Sequence, residues 1–174
     1  MVSETFTVRR GVRQGDALSC LLFDLAIEPL AGTIRASPLK GIEMQGTGES
    51  IKCKLFADDT ATYLNESDDF ETLESHALNP WCEVSGAVFN IAKTEIIPIG
   101  SEVYRTKVIE TRKTHEEATP IPANIKVAEE GQPVRTLGAW VGNGVDQATP
   151  WTTTIEKIAA ALERWEANHP TTEG

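Results

Sequence analysis

The sequence predicts an α+β fold in which amphipathic helices alternate with short strands. Three observations predict it. Leu18, Leu21, Leu22, Leu25, Ala26 and Leu30 recur at spacings of three and four, which places them on one stripe of a helix. Ile51, Cys53, Leu55 and Ala57 alternate with Lys52, Lys54 and Phe56, the period of a strand. Ile155, Ile158, Ala159, Leu162 and Trp165 then return to helical spacing late in the chain.

Taken in order, "ETFTVRR" alternates Phe6 and Val8 with polar neighbours and suits a short strand. The loop "RGVRQGD" follows, its Gly11 and Gly15 permitting a tight backbone. The first helix is expected to enter at Asp16 as its cap and to bury its leucine stripe in the core, with Pro29 kinking or shortening it. "SIKCKLFA" and "TATYLN" form a hairpin with Asp58 and Asp59 at its tip. Phe70, Leu73, Ala77, Trp81 and Val84 mark a second helix, which Asn79-Pro80 is expected to interrupt. "AVFN" and "TEIIPIG" read as short strands, Glu102 to Gln132 as a long polar loop or insertion, and "VRTLGAWVG" as another strand. The last helix, "PWTTTIEKIAAALERWEA", has Pro150 near its start and its apolar stripe facing inward.

A chain of 174 residues, 40% hydrophobic and 24% charged, has the composition of a globular domain or of a piece of something larger. No apolar run reaches membrane-spanning length and Met1 to Arg10 lacks a signal-peptide core. The expected setting is intracellular, nuclear or cytoplasmic, without a membrane partner. Cys20, Cys53 and Cys82 are odd in number and lack CxxC spacing, so they read as small core residues rather than a disulfide or zinc framework. The net charge of −10 argues against a stand-alone nucleic-acid binder. The charge is unevenly spread, with Arg9, Arg10 and Arg13 clustered early and residues 61–90 acidic without Lys or Arg, so a small basic site can sit beside an acidic surface.

Asp58 and Asp59 carry the chemistry. Neighbouring strand residues point to opposite faces, so adjacent carboxylates converge on one ion more easily at a turn. Magnesium takes carboxylate and phosphate oxygens, and two ions about 4 Å apart can activate an attacking hydroxyl and steady a leaving group. Two adjacent carboxylates alone rarely hold both ions, so a third acid is required. Read alone, "ADD" is more often a structural turn than a metal site, since Asp favours tight hairpins. His76, His115 and His169 lack convergent spacing, and Trp81, Trp140, Trp151 and Trp165 read as packing residues rather than base-stacking platforms.

Four blocks in order change that balance: "RRGVRQGDALSCLLFDLAIEPLA", "FADD", "SGAVFNIAKTE" and "VRTLGAWVGN". Together they resemble the reverse transcriptases of non-LTR, LINE-like retrotransposons, most closely those of fungi. The resemblance implies a partial polymerase palm, an antiparallel sheet backed by helices, incomplete at the N-terminus. It divides the chain into 1–100 as partial palm, 101–133 as loop or insertion, and 134–174 as the end of the palm and the start of a thumb or connection helix. It further implies RNA-directed DNA polymerase chemistry with Mg2+ or Mn2+, an RNA template, a DNA primer and dNTP. On that resemblance Asp58 is the metal ligand, Asp59 its neighbour at the site, and Lys93 assists at the triphosphate. Gly11, Arg13, Gln14, Gly15 and Phe56 line the nucleotide and template, with Ser19 and Phe23 on the following helix. Leu137 and Gly138 belong to the primer grip.

The departures are Ala17 and Cys20 in place of prolines and Phe56 in place of tyrosine. The family's earlier block, with its first catalytic aspartate, has no counterpart here, nor have the fingers or the endonuclease region. The chain is therefore expected to be a reverse transcriptase fragment, inactive alone and self-associating through an exposed sheet edge. Two other readings stay open: a non-catalytic relic or interaction module, and another palm-like nucleotidyl-transfer enzyme such as a cyclase, which the lack of a GGDEF-like turn disfavours.

Overall fold

The computed structural model describes residues 15–146 and 148–167. The strand expected around Phe6 and Val8, and the candidates Gly11, Arg13 and Gln14, lie outside them. The chain is α+β, and it divides into two compact units, residues 1–90 with 111–122 and residues 91–110 with 123–174.

The first unit is built on α1 (Ser19–Ala36). Asp16 leads into it by an Asx turn, its Oδ1 accepting from the Leu18 amide at 2.9 Å while its carbonyl accepts from Ser19 at 3.1 Å. The helix itself opens at Leu18 without a side-chain cap. Pro29 does not shorten α1, which runs unbroken past it. The expectation of a buried leucine stripe fails in the first half, where Leu18, Leu21, Leu22 and Leu25 are all exposed. The core begins one turn later with Leu30, Ala31 and Ile34, which face β3 and the helical segment beyond it. Periodicity identifies a stripe and not what covers it.

After α1 come two hairpins, β1 (Ile42–Glu43) with β2 (Ser50–Ile51), and β3 (Cys53–Phe56) with β4 (Asp59–Thr62). The next helix is continuous through Pro80, contrary to the expected break. It runs as α2 (Phe70–Leu73), a π turn (Glu74–Leu78) and α3 (Asn79–Ser85). Proline has no amide to donate to the preceding turn, and widening that turn absorbs the defect: the Asn79 amide donates to the Glu74 carbonyl, five residues back. Gly86, at φ 70, closes α3 in the left-handed conformation, donating to the Cys82 carbonyl at 2.9 Å. Phe70, Leu73 and Ala77 are buried as their spacing predicts, whereas Trp81 is half-buried against Phe89 at 5.7 Å and Val84 is exposed. "AVFN" is irregular rather than a strand.

Segment 111–122 completes this unit. It is pinned to the first turn of α2, where Thr119 donates from its amide to Asp69 at 3.1 Å and from its hydroxyl to Glu71 at 2.6 Å. Ala118 and Ile121 are buried there. Two carboxylates of the acidic stretch, Asp69 and Glu71, are thus anchors and not a purely solvated face.

In the second unit β5 (Glu95–Ile96) pairs in parallel with β6 (Lys126–Val127), and β7 (Val134–Thr136) pairs antiparallel with β8 (Ala139–Val141). Residues 102–111, expected as polar loop, form α4 (Glu102–Thr111). "VRTLGAWVG" is a hairpin and not one strand. The last helix, α5 (Thr149–Ala167), forms as predicted, but Ile155, Ile158, Ala159, Leu162 and Trp165 are exposed instead of inward-facing. Among the described residues the strands make four separate two-stranded ladders and no single sheet. Each strand is only two to four residues long, and three of the four ladders close locally between strands that follow one another in the chain.

Glu74, the first residue of the π turn, gives a test of its side chain's surroundings. Burial, and then the Glu71 carboxylate, push its carboxyl above the ordinary glutamate range. A carboxyl with a higher pKa folded than unfolded disfavours the fold once ionised, so stability is lost as pH rises through the folded value. Glu74→Gln is expected to raise the melting temperature at pH 7 by about 1–2 °C, a small effect because solvent screens the group. The gain should close near pH 4, around the unfolded value; melts at both pH values check it, and an equal gain at each would refute this account.

Candidate functional site

The two aspartates lie on the β3–β4 hairpin. Its ladder pairs Cys53 with Thr62, Lys54 with Ala61, Leu55 with Thr60 and Phe56 with Asp59, leaving Ala57 and Asp58 as a two-residue turn. Ala57 has φ 50, a conformation costly for a residue with a Cβ, and it is the kind of strained turn that tertiary structure must hold. Asp58 therefore occupies the turn and Asp59 the first position of the return strand, across from Phe56. All three side chains are exposed. Among the described residues no hydrogen bond or ion pair engages either carboxylate, so their oxygens face solvent as free acceptors.

The hairpin is secured at its base. The Tyr63 amide donates to the Lys52 carbonyl at 2.8 Å, extending the ladder by one pair. The Lys52 ammonium donates to the carbonyls of Arg35 and Ser37 at 2.8 and 2.9 Å, capping the C-terminal end of α1, where a cation also complements the helix dipole. Asp68 ties the other side: its buried carboxylate accepts from the amides of Lys40 (2.8 Å), Gly41 (2.9 Å) and Asn65 (2.8 Å). Asn65 lies just after β4 and Lys40 just after α1, so both ends of the hairpin are fastened to the same helix terminus. Sequence reasoning missed Lys52 and Asp68, because their partners are backbone groups of remote segments. Cys53, half-buried in β3, has its thiol pushed up by burial, with Arg35 pulling the other way. It stays protonated at neutral pH and is no nucleophile.

Gly15, the one described residue of the glycine loop, is exposed with φ 88, a backbone that disfavours other residues. Ser19, next on α1, is buried and Phe23 is exposed. In the second unit Lys93 ends a 3₁₀ turn (Ile91–Lys93) and is exposed. Leu137 and Gly138 are the turn of the β7–β8 hairpin, with φ 50 and 84. Positive φ at both central residues is what a two-residue type I′ turn needs. The structure thus groups Phe56, Asp58 and Asp59 on one hairpin and sets Leu137 and Gly138 on another. No cluster of three or more His, Cys, Asp or Glu residues able to hold a metal ion occurs among the described residues.

Residues 2–141 match the family model described as reverse transcriptase (RNA-dependent DNA polymerase). The chain belongs to the reverse transcriptase family. Polymerases of this family copy RNA from a primer with deoxynucleoside triphosphates and use divalent metal ions. The match takes in all three hairpins of this family member, β1–β2, β3–β4 and β7–β8, and stops at the end of β8. No solved structure matches the chain. No helix among its described residues is long and apolar enough to cross a membrane.

Proposed function

We propose that this chain is part of the palm of a non-LTR, LINE-like retrotransposon reverse transcriptase of fungal type, whose parent performs two-metal nucleotidyl transfer. The observation that carries the reading is the β3–β4 hairpin, which sets Asp58 in a two-residue turn beside Asp59 with both carboxylates exposed. A Mg2+ or Mn2+ ion would bind first to Asp58, with Asp59 beside it. The carboxylates supply hard oxygen ligands and leave the remaining positions to water and triphosphate. Phe56 and Gly15, with Gly11, Arg13 and Gln14, line the nucleotide and template, Lys93 meets the leaving pyrophosphate, and Leu137 and Gly138 grip the primer. Residues 1–100 and 134–174 serve as palm and the start of a thumb or connection helix, with 101–133 as an insertion between them.

Two carboxylates do not fill a two-ion site, so the chain by itself does not extend a primer. The test compares it with Asp58→Ala/Asp59→Ala in manganese-dependent extension of a DNA primer on an RNA template, and in Mn2+ binding followed by electron paramagnetic resonance. Neither protein is expected to extend the primer, and only the unsubstituted chain is expected to bind Mn2+. Extension by the unsubstituted chain that disappears in the variant would overturn its inactivity and reveal a third acid. Equal Mn2+ binding by both folded proteins would overturn the metal assignment.

A further inference from the structure

We propose that α5 is a self-association surface through which two copies of this chain pair. Trp151, Ile155, Ile158, Leu162 and Trp165 are spaced four, three, four and three apart, the 3.5-residue repeat that lets one helix seat its side chains between those of another. All five are more than half exposed, at 54, 62, 55, 60 and 70%. The rest of α5 from residue 151 to 165 is exposed as well. A helix whose residues 151–165 are all exposed is marginal in water on propensity alone and gains its stability from packing an apolar stripe.

The chemistry beside the stripe selects a second copy. Thr152, Thr154, Ala159 and Ala161 flank the seam, so identical helices meet there without like charges opposed, although each chain carries a net charge of −10. Among flanking positions only Glu166, at the last turn, is charged. Glu156, Lys157, Glu163 and Arg164 stand away from the seam and balance one another. That balance disfavours an anionic lipid surface, which attracts a helix whose polar face is rich in Lys and Arg. A self-complementary stripe closes as a two-fold pair.

Sedimentation of the full chain over a range of concentrations tests this. The expected result is a species of twice the chain's mass that dissociates on dilution, is lost in Ile158→Glu/Leu162→Glu, and survives in Leu22→Glu, which alters the exposed stripe of α1. A single chain at every concentration overturns the proposal, as does a dimer that survives the α5 substitutions or is lost in Leu22→Glu. Because the glutamates could unravel α5, a second arm uses Ile158→Cys in a Cys20→Ser background. Ile158 faces its own counterpart in a parallel pair and Ile155 or Leu162 of the other copy in an antiparallel one, so mild oxidation of Ile158→Cys, alone or mixed with Ile155→Cys or Leu162→Cys, should link two chains, while Thr153→Cys on the opposite face should not. Absence of a link in all of these, or equal linking by Thr153→Cys, overturns the proposal.

Discussion

Replacing Asp68 with alanine is expected to destabilise the first unit by about 3–5 kcal/mol, among the larger effects a single substitution produces. Asp68 is 5% exposed and its carboxylate accepts three backbone amides, from Lys40, Gly41 and Asn65. Bonds to an ionised acceptor are worth roughly twice neutral ones, and each donor left dry adds its own desolvation cost. Asp68→Asn should cost less, about 1–2 kcal/mol. Its carbonyl can occupy the place of Oδ2, which takes the Gly41 and Asn65 amides. Its amide then confronts the Lys40 amide as donor against donor. Urea denaturation gives the magnitudes, and hydrogen exchange locates them: under native conditions the amides of residues 40, 41 and 65 should lose protection first. An unchanged midpoint in Asp68→Ala would refute the role. The consequence reaches the aspartate hairpin, since Asn65 follows β4 and the same carboxylate fixes the exit of α1.

What could be seen in the sequence depended on how locally each feature is encoded. The β3–β4 hairpin was legible because strand alternation runs into the Asp-Asp pair and resumes beyond it, and the turn falls where the period breaks. The extents of α1 and α5 were legible from their stripes, but their exposure was not, because a stripe records only that a helix has an apolar side. Pro80 suggested a break since a local rule for proline cannot foresee that a π turn will take up the missing amide. Helix α4 was hidden by its composition: Val103 is exposed and Val108 is the residue it buries, so no apolar contrast marks it. The β7–β8 strands, three residues each, are too short for alternation to show; only the family resemblance singled out Leu137 and Gly138, which form the turn between them. Lys52 and Asp68 were invisible for a different reason. Their partners are carbonyls and amides, which every sequence has, and only the fold brings them near.

Gly41→Ala is the second large effect expected, with a loss of about 2–4 kcal/mol from the combination of strain and overlap. Gly41 has φ 71 and is buried. A Cβ there would lie 2.4 Å from the Ile51 carbonyl oxygen and 2.9 Å from the Lys52 side chain. The first of these neighbours is backbone, held in register where Ile42 pairs with Ile51, so it cannot rotate away as a side chain could. Gly46 separates the two contributions. It has a similar φ, 85, but a Cβ there meets nothing within 4 Å, so Gly46→Ala should cost only the conformational part, about 1–2 kcal/mol. The difference between the two variants in urea denaturation measures how rigidly β2 is held against Gly41. Equal losses would mean that the Ile51 carbonyl yields freely. Because Ile51 and Lys52 lead directly into β3, such freedom would pass to the hairpin that carries Asp58 and Asp59, and those carboxylates would then not be held in one position, as the proposed metal site requires.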